Sequence, residues 1–140
     1  MSTSHHVVGL AVLALCCFAG AQSPPKSDSR ISVTDARKLA TVAIQTNPAG
    51  NPDFHEKFGL EQLGNERGFL VFEGQWDNLT GGSANLGHYA VDERTGDVWD
   101  ADLCREYRSP ELRSLQQAIR KKLGVTNSEY HKLRRPGPMC

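Results

Sequence analysis

The segment 87–100, GHYAVDERTGDVWD, constrains this chain more than any other part of it. Val91 and Val98 lie on either side of a polar stretch from Asp92 to Asp97, and Gly96 can supply the positive φ that closes a type I turn with a G1 bulge. The pattern predicts a β-hairpin. A lone hairpin is marginal in water, so neighbouring segments must add a strand and cover one face. Residues 68–76, GFLVFEGQW, read as the third strand, with Leu70, Phe72 and Trp76 on one side. A helix capped by Ser32 or Thr34 and running to about Gln45 supplies the cover. In it Val33, Ala36, Leu39, Ala40, Ala43 and Ile44 recur at three- and four-residue spacing. Between helix and strand, residues 49–68 are rich in Gly, Asn and Pro, with a short strand expected near 60–63. Residues 78–85, NLTGGSAN, read as a flexible connection.

Beyond the hairpin, Ser109-Pro110-Glu111 opens a second helix: an N-cap, a proline in the first turn and an acid at the positive dipole end. Leu112, Leu115, Ile119 and Leu123 form its apolar stripe, and Gly124 ends it. Thr126 with Glu129 predicts a capping box for a last short helix carrying Tyr130 and Leu133. The expectation is an α+β fold: an N-terminal helix on a small antiparallel sheet of at least three strands. One domain over 31–140 carries a helical extension over 109–133. Length fits one core.

Formal net charge is zero, but it is unevenly spread. Residues 22–104 hold 7 Lys/Arg against 13 Asp/Glu, and residues 105–140 hold 9 against 3. The economical reading is that the two halves pack on each other and neutralise, long basic side chains lying along the sheet. A basic segment without interleaved aromatics does not point to nucleic acid.

Residues 7–21, VVGLAVLALCCFAGA, form an apolar run ending in the A-x-A pattern of signal peptidase sites, so residues 1–21 read as a signal peptide cleaved before Gln22. The run is shorter than the roughly 20 residues of a membrane span, and Pro24-Pro25 follow it. Residues 22–30 then form a flexible spacer. The n-region lacks Lys and Arg, and Cys16 and Cys17 open a lipoprotein alternative, although Leu13-Ala14-Leu15 places a bulky residue before Cys16 where a small one is wanted. The reading is an exported protein, periplasmic or secreted. Its mature cysteines, Cys104 and Cys140, are expected to pair in an oxidising compartment. Such a bridge closes a loop of about 37 residues, for roughly 3 to 4 kcal/mol in the loop-entropy model.

Tests for chemistry come out blank. Gly81-Gly82-Ser83-Ala84-Asn85 falls one residue short of G-x-S-x-G and precedes a strand, where a nucleophile elbow must follow one. Asp92, Asp97, Asp100 and Asp102 lack the ordered spacing of a calcium loop and suit turn capping better. His55, His88 and His131 are too scattered for a zinc pair, and no cofactor is implied. Asn78-Leu79-Thr80 is a formal glycosylation sequon.

The helix 31–40, ISVTDARKLA, followed by the hairpin 89–98, YAVDERTGDV, resembles PepSY and PepSY-like domains. These pair an S/T-x-x-(D/E)-A helix with a Y-x-V-D-x-x-T-G-x-V hairpin in a small cystatin-like fold. Residues 68–97 also look like NTF2-fold immunity proteins. The resemblance implies an exported, noncatalytic module that binds or inhibits a protein partner, a peptidase or a toxin. Its surface is expected around His88, Tyr89, Arg94 and Trp99, on the outer sheet face if Tyr89 and Trp99 point away from the helix; the competing reading places Trp76, Tyr89 and Trp99 in the core. Two other readings compete: a small secreted hydrolase using the 81–88 loop, with Ser83, His88 and an acid, and a structural envelope protein. Oligomeric state has no signature here.

Overall fold

The computed structural model describes residues 29–47, 58–77, 83–138 and 140. The signal peptide, Cys16 and Cys17, spacer residues 22–28, His55 and the Asn78 sequon lie outside them. The described elements are α1 (Val33–Gln45), β1 (Gly59–Glu66), β2 (Phe69–Asp77), β3 (Ser83–Asp92), β4 (Val98–Asp100), β5 (Arg105–Glu106), α2 (Pro110–Leu123) and α3 (Asn127–Leu133). The five strands form one antiparallel sheet in the order β1-β2-β3-β4-β5, a meander.

The hairpin forms where its local physics places it. Tyr89 pairs with Asp100, Ala90 with Trp99 and Val91 with Val98. Asp92 Oδ1 accepts the backbone N–H groups of Arg94 and Thr95, so the acid caps the turn from inside. Gly96 takes φ 73° and donates its N–H to the Asp92 carbonyl. Ser32 is the cap of α1, accepting the Asp35 N–H at 3.1 Å. Ala36, Leu39, Ala40, Ala43 and Ile44 are buried as the stripe requires. Val33 is the exception, 40% exposed. Ile31, just before the cap, is buried in its stead, because its N–H bonds to the Glu93 carbonyl and draws the incoming chain along the hairpin.

Leu70 and Phe72 of β2, Tyr89 and Val91 of β3 and Val98 of β4 meet that stripe, and α2 closes the layer with Leu112 and Ile119. This is the inner face of the sheet. Ser109, Pro110 and Gly124 bound α2 as expected, and Thr126 with Glu129 forms the capping box of α3.

Three strands depart from expectation. The one foreseen near 60–63 extends over Gly59–Glu66, because it is an edge whose partner is β2 alone and needs no apolar alternation; a bulge at Leu63 interrupts it. β3 starts at Ser83, inside the stretch expected to be a flexible connection, and β5 has no apolar signal at all in its two residues.

Candidate functional site

The outer face of the sheet divides into two halves. In one, Phe69, Ala90 and Ala101 are buried, with Val71 and Trp99 packed beside them. The chain after α3 covers this half. Arg135 donates to Asp92 Oδ2 at 2.6 Å, to the Arg67 carbonyl at 2.7 Å and to the Gly68 carbonyl at 2.9 Å, and its guanidinium lies 4.3 Å over the Phe69 ring. Gly137 rests on the Trp99 indole, so close that a Cβ there would lie 3.1 Å from two ring atoms. Cys140 then bonds to Cys104, with the two Cα atoms 5.6 Å apart.

The other half is polar and, among the described residues, open. Register sets Glu61 opposite Glu73 and Glu73 opposite His88. The His88 Nδ1 lies 2.8 Å from Asp102 Oδ1, and Asp102 Oδ2 accepts the His88 backbone N–H at 2.9 Å. Glu61, Glu73, His88 and Asp102 thus make a row across three strands and the β4–β5 turn. Glu73 is held by amides, Asn85 at 2.6 Å and Gln75 at 3.1 Å. Among the described residues neither Glu61 nor Glu73 has a Lys or Arg partner. Burial works against the Asp102 carboxylate, but the hydrogen bonds from the His88 ring and backbone outweigh it and hold its pKa below the usual range.

At the end of the row a notch of about 320 Å³ opens between β3 and the β4–β5 turn, lined by Asn85, Leu86, His88, Asp100, Asp102 and Tyr107 among others. Its turn is stiffened by Asp100 Oδ1, which accepts the N–H groups of Asp102 and Leu103. Leu103 projects from it, 58% exposed. Tyr89 and Tyr107 stack with centroids 5.7 Å apart, and burial pushes both phenols up.

The row stands out because most other acids are answered from within the chain. The basic C-terminal segment crosses to the acidic sheet region: Lys122 to Asp35 at 2.9 Å, Arg120 to Asp97 at 3.4 Å, Arg134 to Asp97 at 3.9 Å, Arg105 to Asp100 at 3.8 Å and Arg135 to Asp92. The two halves do neutralise each other by packing. Asp97, only 2% exposed, has its pKa raised by burial and by Glu106, against the pull of Arg120 and Tyr130.

The expected binding residues do not gather in one patch. His88 is in the open row. Tyr89 points to the inner face and is buried in the core, Trp99 lies on the outer face beneath the tail, and Arg94 is exposed at the hairpin tip. Ser83 and His88 sit five residues apart on β3, roughly 16 Å along the strand at the usual rise. Asp92 and Asp100 cap turns as expected, and no group of three metal-ligating side chains occurs among the described residues. Sequence reasoning missed Arg135 and the Glu61–Glu73 opposition. The first sits in an aperiodic tail, and the second exists only through a register that no local pattern encodes.

No protein-family model matches the chain, and no curated protein matches it. A chain of a solved structure, described as a type VI secretion system effector-immunity complex from Pseudomonas protegens, is similar over 76% of this chain and 88% of its own. The identity is 20% and the TM-score 0.59. At that identity the likeness is one of fold.

Proposed function

We propose that this protein is an exported immunity-type module that binds and neutralises a protein toxin, using the open half of the outer sheet face. The observation that carries the reading is the shared fold with a chain from an effector–immunity complex. The chain's own chemistry supports it: a preformed acidic row with unspent charge, a stiff turn presenting Leu103, and a notch beside His88. A surface of this kind recognises a basic patch on a partner through electrostatic complementarity, with Leu103 as an apolar contact at the rim. Within the expected set, His88 carries the contact, and Arg94 at the hairpin tip lies outside the row. The leader, and a disulfide suited to an oxidising compartment, support a periplasmic or secreted location; among the described residues no helix is long and apolar enough to cross a membrane. The peptidase-inhibitor form of the reading rests on the PepSY-type helix and hairpin motifs.

The test is genetic and biochemical together. Cells deleted for this gene should become sensitive to sibling cells that deliver the effector encoded beside it, and expression with the leader intact should restore resistance. The purified protein should form a stoichiometric complex with that effector, weakened at least about tenfold by Glu73→Lys, since reversing an interfacial charge typically costs more than about 1.4 kcal/mol. Unchanged survival after deletion, with no complex formed, overturns the reading.

A further inference from the structure

We propose that the Cys104–Cys140 disulfide is the latch of a strap and not a brace of the domain: its reduction frees Pro136, Gly137, Pro138 and Cys140 and uncovers Trp99 while sheet and helices stay folded. The inference goes beyond the toxin-binding reading and does not depend on it. The tail has two anchors of different kinds. Arg135 is fixed by the Asp92 carboxylate, two carbonyls and the Phe69 ring, none of which involves sulfur. Past Arg135, the described bonds that tie the strap to the rest of the molecule are the Arg67 guanidinium to the Pro138 carbonyl at 3.3 Å and the disulfide itself. Pro136 and Pro138 have no N–H to give, and the Cys140 N–H turns back to Gly137 within the strap. The core under α1 and α2 contains no residue of the tail.

Closing the strap leaves a polar group unmet. Trp99 Nε1 is buried with no hydrogen-bond acceptor among the described residues, and water can reach it once the strap lifts. The latch is within reach of a reductant: Cys104 lies on the exposed β4–β5 turn, at φ 54°, and Cys140 is exposed as well. A dithiol attacks the Cys140 sulfur through its thiolate and expels the Cys104 thiolate. Its second thiol then resolves the mixed disulfide, leaving two protein thiols and the oxidised reductant, a two-electron exchange. The Trp99 face is thereby presented under reducing conditions and withheld under oxidising ones.

Trp99 and Trp76 are the two tryptophans, so Trp76→Phe in the otherwise complete protein leaves Trp99 as the reporter. Treatment with dithiothreitol should shift its emission to the red and raise acrylamide quenching several-fold, with the far-ultraviolet circular dichroism unchanged. The Cys104→Ser/Cys140→Ser protein should show the same signature without reductant. In oxidised protein, Gly137→Val should show part of it, because a Cβ 3.1 Å from two indole atoms obliges strap or ring to shift. Quenching that does not change on reduction means that Arg135 holds the strap alone, and overturns the proposal. Loss of the dichroism on reduction, or failure of the double serine protein to fold, makes the disulfide a brace and overturns it equally.

Discussion

The two faces of the sheet are closed by different means. On the inner face, Leu39 and Ala43 of α1, Phe72 of β2 and Leu112 of α2 exclude water by apolar packing, and each is fully buried. On the outer face one half is closed by a stacked guanidinium, a glycine on an indole and a disulfide, and the other half is not closed among the described residues. The difference teaches where the chain keeps its stability and where it keeps its freedom. Apolar packing on the inner face is local and continuous, so it is felt by every element. Closure of the outer face hangs on a few point contacts in a tail of seven residues after α3, and such contacts can be released one at a time.

If that contrast holds, the costliest single changes lie inside. Phe72→Ala should lose about 4 kcal/mol in a urea melt, as expected for deleting a ring from a filled core; a loss below about 1 kcal/mol would mean that the inner face is not the foundation. Arg135→Ala should cost about 3 kcal/mol, since it strands the Asp92 carboxylate, 2% exposed, without its cation. The two variants separate in a second readout. Phe72→Ala should speed hydrogen exchange throughout the sheet, and Arg135→Ala mainly at the hairpin tip and around residues 67–69.

Titration sharpens the comparison through two acids of opposite sign. The Lys122 ammonium, with help from Ser32, holds Asp35 below its ordinary pKa of 3.8. Its contribution is therefore present above that value and is lost as pH falls through the lower, folded one. Burial first, and Glu106 next, raise Asp97 above the same 3.8. Its contribution is full below 3.8 and is lost as pH rises through the raised value. Asp97→Asn should remove that decline above pH 3.8, and Asp35→Asn should remove part of the acid-side loss, by about 0.5 kcal/mol for an exposed pair. Urea midpoints followed from acid to neutral pH check both signs.

Legibility in the sequence follows the same division. Ser32, Gly96, Ser109, Pro110, Gly124 and the Thr126–Glu129 box could be read in advance because each acts within four residues of itself, where spacing is the whole message. The stripe of α1 was legible because helical period and burial coincide from Ala36 onward. Pairing of Cys104 with Cys140 followed from compartment and count, without knowledge of the path between them. What the sequence hid was long-range. Arg135 meets Asp92 across 43 residues, and Gln116 reaches the Gly96 carbonyl across 20, so neither has a local signature. Tyr89 and Trp99 were visible as strand aromatics, but their faces depend on hairpin register. Placing Tyr89 opposite Asp100 sends it inward, and pairing Trp99 with Ala90 sends it outward.

An effect of similarly small size bears most directly on the open half of the outer face. Glu61 and Glu73 are direct cross-strand partners, and like charges so placed repel. A surface selected only for stability would not keep both. Glu73→Gln preserves a side-chain carbonyl to accept from Asn85 or Gln75 and removes one of the two charges. It should therefore stabilise the protein by about 0.2 to 1 kcal/mol at low ionic strength, with the gain shrinking as salt is added. The same substitution should weaken binding to the effector. Opposite signs in the urea midpoint and in the affinity would identify the repulsion as a stability cost retained for recognition. A destabilised Glu73→Gln protein would instead place Glu73 among the groups that hold the sheet together, and the two halves of the outer face would then be alike.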